Sequence, residues 1–446
     1  MRELNQNACK HFHRFLFTKV RYYAILLIYS LERGFDMKKI NISEPSVVAQ
    51  STTAPILFGG YQLPIIRCNA KGEIFVKFSA RIDNPSTWGE EDGNPVYRSR
   101  NGGEAWKYMS DPLYSWITAQ QPLPNGDFLE MREYALLDDL PPLPVGRPWL
   151  GTGGVRDVYL VDELIPILGD RIAKEFRAYR VKAGTNEIVE DTCKIHWKDM
   201  PCVLHEKCKL RRLFGQTLSG LRYKVDSKGS LWLPVPAPYV TPDGVLGSSR
   251  FCIHILRSDD NGYNWDYVST IVYKDEYNSP NAISVEGFSE ATLAFTEDGG
   301  IICVLRSGSL HPKNIGDDEH PAPIAYFCKS SDNGKTWSEP KPFYDYGVMP
   351  VMEKLDCGTI LLSSGRPGVY LRTCEDPKGE EWSDIIPILT VPKKDYYTAY
   401  FEYSCSNTSM CVYDANTAYL AYSDFRLNAP NGQRAKSILV RKITVE

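Results

Sequence analysis

The octapeptide Ser330-Ser331-Asp332-Asn333-Gly334-Lys335-Thr336-Trp337 constrains the fold more than any other stretch, because it recurs. Asp and Asn bond their own backbone in tight turns, Gly supplies a positive φ without steric penalty, and the closing Trp is placed to pack beneath the hairpin. A second copy, Ser258-Asp259-Asp260-Asn261-Gly262-Tyr263-Asn264-Trp265, keeps Ser, Asp, Gly and Trp at the same offsets. Ser99 to Trp106 repeats it with Asn101 in the Asp place, and Thr373 to Trp382 reads as a stretched fourth copy. These turns are punctuation in a repeating β fold.

Alongside them recurs a strand, a short turn usually containing Gly, and another strand, the pattern of a β-hairpin. It spans 62–81 with the turn Asn69-Ala70-Lys71-Gly72, 221–234 with Asp226-Ser227-Lys228-Gly229, and 290–306 with Glu297-Asp298-Gly299-Gly300. It returns over 350–366 with Asp356-Cys357-Gly358 and over 407–423 with Asp414-Ala415-Asn416. Two hairpins make four antiparallel strands, one propeller blade, and the last three turns recur at roughly 60-residue intervals, a period that suits blades. The wide gap before the second hairpin requires one more blade within 128–198. The expected fold is all-β: a six-bladed β-propeller of four-stranded antiparallel blades. The run 437–445 completes the last blade, with a strand near 55–58 closing the ring and protecting its edges.

A chain of 446 residues is long for one average domain, but a propeller absorbs that length in a single unit spanning 37–446. Residues 1–36 are set apart as an N-terminal extension or leader-like segment. There Lys10, Arg14, Lys19 and Arg21 lead into an apolar run from Tyr22 to Leu31, too short to span a bilayer, and no small-residue cleavage site follows. The reading preferred is that Met37 is the natural start. A formal net charge of -4 gives no basic footprint for nucleic acid or an anionic membrane. The 12 Cys are scattered rather than set in a disulfide framework, which favours buried thiols in a reducing, cytoplasmic compartment; a secreted or periplasmic location follows instead if the leader is a signal.

Within each hairpin, the residues before the first strand and after the second lie at the end opposite the turn, so they share one face of a propeller. Glu290 and Arg306 are almost equidistant from Asp298, which makes them neighbours across the ladder and pairs a carboxylate with a guanidinium. Arg81 and Arg366 hold the equivalent ends of their own hairpins. Three arginines converging on one axis repel one another unless an anion binds between them. The plainer alternative is that each pairs with a local carboxylate.

At this point the chain resembles the sialidase superfamily over most of residues 60 to 430, the octapeptide being that family's Asp box. Gly287-Phe288-Ser289-Glu290-Ala291 with Val304-Leu305-Arg306-Ser307 is similar to the strand pair carrying the activating Glu and one Arg of the family's arginine triad. Gly365-Arg366-Pro367-Gly368 resembles the segment with another triad Arg, and Tyr61-Gln62-Leu63-Pro64 stands where the family has aromatic-Arg-Ile-Pro. The resemblance implies a Tyr nucleophile whose proton passes to the Glu, and an Asp acid/base, outside the usual two-carboxylate scheme. Tyr403, in Tyr403-Ser404-Cys405, is the candidate nucleophile; Asp83 is the candidate acid/base, with Glu90, Glu91 and Asp92 as fallbacks. Gln62, Arg81, Arg306, Arg366 and Asn407 are the candidate substrate-binding residues.

Two departures weaken sialic acid specificity. Gln62 replaces the first triad Arg, keeping a hydrogen-bond donor but losing a charge, and hairpin spacing places Asn407 rather than a Tyr at the mouth. The functions expected are an exo-acting glycoside hydrolase for a terminal acidic or polar sugar, or a propeller that binds glycan without cleaving it, or a propeller enzyme of another mechanism such as a polysaccharide lyase. No cofactor and no metal are expected. Cys193, His196, Cys202, His205 and Cys208 have spacings loosely compatible with zinc, but they also fit buried thiols on strands. His311 is a further loop residue near the mouth. The partners expected are a glycan substrate, without nucleic acid or membrane insertion, for a monomeric protein.

Overall fold

The structure, a computed structural model, describes residues 38–51, 60–80, 94–132, 141–151, 154–169, 172–203, 223–277, 287–307, 325–395 and 402–446. Residues 41–445 form one compact unit; a second, 1–40 with Glu446, is described only at 38–40 and 446.

The larger unit is mostly β, built from several small sheets whose strands pair almost entirely antiparallel. The five hairpins expected from the repeat all form, because turn residues sit where the chain must reverse and apolar residues fill the strands between. The simplest sheet runs Phe288–Phe295, Ile301–Ser307, Ala325–Ser330 and Lys341–Tyr344 in sequence order. Val348–Lys354, Ile360–Gly365, Val369–Cys374 and Ile386–Leu389 repeat that order, as do Gln62–Cys68, Ile74–Ser79, Val96–Ser99 and Lys107–Tyr108. The C-terminal sheet takes Thr408–Asp414, Thr417–Asp424 and Ser437–Val445, and the last strand also pairs with Ser46–Gln50 near the start of the chain. That pairing covers the edge that the sequence reading assigned to 55–58, which lies outside the described residues.

The region expected to hold one weakly marked blade is more elaborate. Phe128–Arg132, Glu175–Val181 and Ile188–His196 do form consecutive antiparallel strands, but Lys194 to His196 then pair in parallel with Asn264 to Asp266. One seven-stranded sheet results, joined to Lys224–Val225, Leu231–Ala237, Cys252–Ser258 and Asn264–Ile271. A separate three-stranded sheet, Arg147–Gly151, Gly154–Leu160 and Pro201–Val203, and a short helix, Val161–Leu168, are inserted within it. Among the described residues no helix is long and apolar enough to cross a membrane.

The recurrent turns close in the same way each time. Ser330 Oγ donates to Asp332 Oδ1 at 2.8 Å and accepts from Gly334 N at 2.9 Å, while Thr336 N donates to Asp332 Oδ1 at 2.9 Å. Ser258, Asp260, Gly262 and Asn264 repeat these contacts, as do Ser99, Asn101, Gly103 and Ala105. Asn in place of Asp is therefore geometrically silent at this position. The Trp side chains divide into two pairs. The indoles of Trp337 and Trp106 donate to Ser269 and Ser46, each on a strand of another sheet, whereas Trp265 and Trp382 donate to the carbonyls of Gly262 and Gly379 in their own turns.

The core lies between adjoining sheets. Ile302, Val304, Met352, Ile360 and Leu362 form one such layer, all nearly inaccessible to water. Burial of a side chain of this size stabilises by about 1.5–3 kcal/mol. Hydroxyls then satisfy main-chain donors along the first strands of neighbouring sheets: Ser409 Oγ accepts from Ile66 N at 2.8 Å and Thr292 Oγ1 from Met352 N at 3.0 Å.

Candidate functional site

Register settles which strand ends come together. In the sheet starting at Phe288, Ser330 pairs with Ile301 beside the first hairpin turn, while Ala325 pairs with Arg306 at the far end. The Ser/Asp/Gly/Trp turns thus sit at the same end as the first hairpin turns, and Glu290, Arg306, Gln62, Arg366 and Asn407 sit at the opposite end of their strands.

Backbone strain marks that same end. Among the described residues, the non-glycine residues with positive φ are Asn261 and Asn333 in the recurrent turns and six others. The six are Tyr61 (52°), Leu63 (50°), Tyr346 (75°), Met349 (48°), Arg366 (67°) and Ser406 (60°). All six flank the ends of strands away from the turns. None is the Asn, Asp or Gly that tolerates this region, so each costs on the order of 1–3 kcal/mol and persists only because its surroundings enforce it.

Glu290 and Arg306 are cross-strand partners, with a bulge at Ser289 setting the register. Arg306 Nη1 donates to Glu290 Oε1 at 2.6 Å, the two side chains being only 8% and 22% exposed. Glu290 Oε2 accepts from Met349 N at 2.6 Å, across to the next sheet. Met349 is itself one of the residues with positive φ. The same residue's carbonyl accepts from Thr408 Oγ1 at 3.0 Å, so Glu290 is fixed by two sheets and braced by a third.

Arg366 follows the strand Ile360–Gly365, and its Nη2 donates to Cys405 O at 3.3 Å. Cys405 Sγ donates in turn to Gln62 Oε1 at 3.5 Å, which ties the sheet holding Gln62 to the same cluster. Gly368 N donates to Ser406 Oγ at 3.2 Å. Gly365 is required here: a Cβ at that position would stand 2.2 Å from Ser406 O. Gln62 and Asn407 are buried, 2% and 5% exposed, at the starts of their strands. Gln62, Glu290, Arg306, Arg366 and Asn407 therefore belong to one contiguous cluster of strand ends.

Tyr403 is placed differently from the sequence expectation. Its hydroxyl donates to Asp395 Oδ2 at 2.6 Å, and this bond raises its pKa. Its carbonyl accepts from Phe425 N, and it precedes Cys405 by two residues. The carboxylate that faces the Tyr403 hydroxyl is thus Asp395, which no motif or spacing had marked. The main-chain N–H of Met349 was equally invisible, since it contributes geometry rather than a side chain. Arg81, Asp83, Glu90, Glu91, Asp92 and His311 lie outside the described residues.

The metal-like spacing does not gather ligands on one side. Cys193 and His196 lie three apart on one strand and face opposite sides of it. Cys193 is buried, its thiol pushed up to about 12 by desolvation, while exposed His196 shares a hydrogen bond with Asn264 at 3.0 Å. His205 and Cys208 lie outside the described residues.

No protein family matches the chain, and no curated protein matches it. Among solved structures it is similar to a protein of unknown function from Dyadobacter fermentans DSM 18053, at 16% identity, with 91% of this chain and 99% of that chain covered and a TM-score of 0.55. It is also similar to the Penicillium chrysogenum α-L-arabinanase, complexed there with arabinobiose, at 14% identity over 90% and 98% with a TM-score of 0.46. A Hadza microbial sialidase aligns at 12% identity over 85% and 65%, with a TM-score of 0.48. At 16% identity, the likeness to the Dyadobacter protein is one of fold.

Proposed function

We propose that the protein is a six-bladed β-propeller and an exo-acting glycoside hydrolase for a terminal acidic or polar sugar. The observation that carries this reading is the coincidence of the six strained residues with the cluster of Gln62, Glu290, Arg306, Arg366 and Asn407. Strain held at one end of several sheets, beside two guanidinium groups, is what a preorganised ligand site requires.

The blade count rests on six inner strands: Gln62–Cys68, Phe128–Arg132, Lys224–Val225, Phe288–Phe295, Val348–Lys354 and Thr408–Asp414. Arg67 and Glu130 form an ion pair at 2.5 Å between the first two, and the Ile66–Ser409 bond joins the last to the first, as closure demands. The unit proposed for the propeller is 37–446, with 1–36 an appended segment.

In this reading Arg306 and Arg366 attract the acidic group, joined by Arg81, and Gln62 and Asn407 hydrogen-bond the sugar. Tyr403 is the nucleophile. Its oxygen bonds to the anomeric carbon as the glycosidic C–O bond breaks, its proton passes to Asp395, and Asp83 protonates the leaving oxygen. Water then attacks the anomeric carbon, giving its proton to Asp83, as the tyrosyl C–O bond breaks and Tyr403 takes its proton back from Asp395. Glu290 holds Arg306 in place rather than taking the tyrosine proton.

One observation favours a second reading, that of a glycan-binding propeller without cleavage: both Glu290 oxygens are already engaged. A panel of chromogenic acidic and neutral glycosides separates the two. Release of chromophore that Tyr403→Phe abolishes supports the hydrolase; binding of the same sugars without release supports the binder.

A further inference from the structure

Among the groups that the proposed site does not use, one thiol pair stands out. Cys68 Sγ and Cys411 Sγ lie 2.6 Å apart, although the two residues are 343 positions apart in sequence. Both are thiols in this structure. Cys68 ends the strand Gln62–Cys68, and Cys411 lies within Thr408–Asp414, so they face each other between the sheet that begins at Gln62 and the C-terminal sheet.

The two sheets are held in register around the pair. The Ile66 N–Ser409 Oγ bond lies on one side; on the other, Tyr419 Oη donates to Gly102 O at 2.9 Å. Tyr413, two residues beyond Cys411, packs its ring against the turn at Gly72. The sulfurs therefore cannot drift apart without opening this junction.

We propose that Cys68 and Cys411 form a redox-responsive staple that covalently closes the junction when a low-molecular-weight disulfide is present. Exposure decides the order of events: Cys411 is partly accessible, while Cys68 is 4% exposed. The Cys411 thiolate attacks one sulfur of the disulfide, forming a mixed disulfide and releasing one equivalent of thiol. The Cys68 sulfur, losing its proton to water, then attacks Cys411 Sγ and displaces the second thiol. The balance is one protein dithiol and one small disulfide giving one protein disulfide and two small thiols. The other nearby thiol pair, Cys303 and Cys328, faces across one ladder within a single sheet, both fully buried, and offers no accessible sulfur to start the exchange.

The consequence is mechanical. A bond between these positions closes nearly the whole β unit into a loop, which restricts the unfolded chain far more than the folded one. The full chain, incubated with oxidised glutathione and digested without reduction, is expected to yield one linked peptide pair containing Cys68 and Cys411. Its Tm should rise by about 5 °C, reversed by dithiothreitol. Cys411→Ser should remove the linked pair and the rise; Cys303→Ser should remove neither. A wild-type protein carrying glutathione on Cys411 with no Cys68–Cys411 peptide, or a linked protein whose Tm is unchanged, overturns the proposal. The peptide map of the wild type decides the first point even if a variant fails to fold.

Discussion

Arg306 donates to Glu290 at 2.6 Å from the facing strand position, and the other carboxylate oxygen of Glu290 is taken by the main chain of Met349 in the next sheet. One side chain is thus shared between two sheets at the end of the strands where the backbone is most strained. Glu290→Gln keeps the size but replaces one acceptor oxygen with a donor. Loss of the charge-assisted bond should cost about 1.5–3 kcal/mol in urea unfolding. On any glycoside the wild type cleaves, kcat should fall by about 100-fold, because Arg306 is no longer held. A variant with unchanged stability and turnover would show that the pair has no organising role.

Gly365→Ala tests how tightly the strand ends are packed. The added Cβ would meet the Ser406 carbonyl, which is backbone and cannot rotate away. A loss of about 3 kcal/mol is expected. Gly299→Ala is the control: unlike Gly365 it has positive φ, at +84°, but nothing lies within 4 Å of its Cβ, so only the conformational cost of about 1 kcal/mol applies. Equal losses in thermal or urea unfolding would mean that the Gly365–Ser406 approach is not constraining.

Stability should fall with acid through His254. This imidazole is fully buried, held by Thr270 at 2.8 Å and the Pro238 carbonyl at 3.0 Å, and desolvation lowers its pKa to about 4. The unfolded chain takes up a proton near pH 6.5 and the folded chain only near pH 4, so its contribution is complete above pH 6.5 and is lost as pH falls toward 4. Between pH 7 and 5 the loss should be about 2 kcal/mol. Urea titrations at both pH values check this, with His254→Gln expected to show a correspondingly smaller difference.

Removal of residues 1–36 should leave the unfolding midpoint within about 1 °C of the full chain. The basis is compositional: that segment carries neither the recurrent turn nor a blade-like hairpin. A drop of several degrees in calorimetry would make it an integral element.

What the sequence revealed and what it hid follow from the range of the interactions. The turns at Ser99, Ser258 and Ser330 were legible because their hydrogen bonds close within five residues. The Glu290–Arg306 pairing was legible because hairpin register follows from the turn between them. The parallel pairing of Lys194 with Asn264 was not, since it joins strands whose own periodicity says nothing about a partner 70 positions away. Cys193-x2-His196 suggested a ligand pair until strand alternation put the two on opposite faces. Asp395 escaped notice because only the chain path brings it to Tyr403.

The most direct test concerns Arg366, whose guanidinium meets the Cys405 carbonyl at the centre of the cluster. Calorimetry should be run with a carboxylated sugar against the wild type, Arg366→Ala and Arg257→Ala, the last removing an arginine engaged locally with Asp259 and Trp232. Arg366→Ala should weaken binding by about 2 kcal/mol, the value of a charge-assisted contact shielded from water, while Arg257→Ala should leave it unchanged. Equal affinities for the two variants, or no binding of any carboxylated sugar to the wild type, would contradict an acidic-sugar site at the strained strand ends.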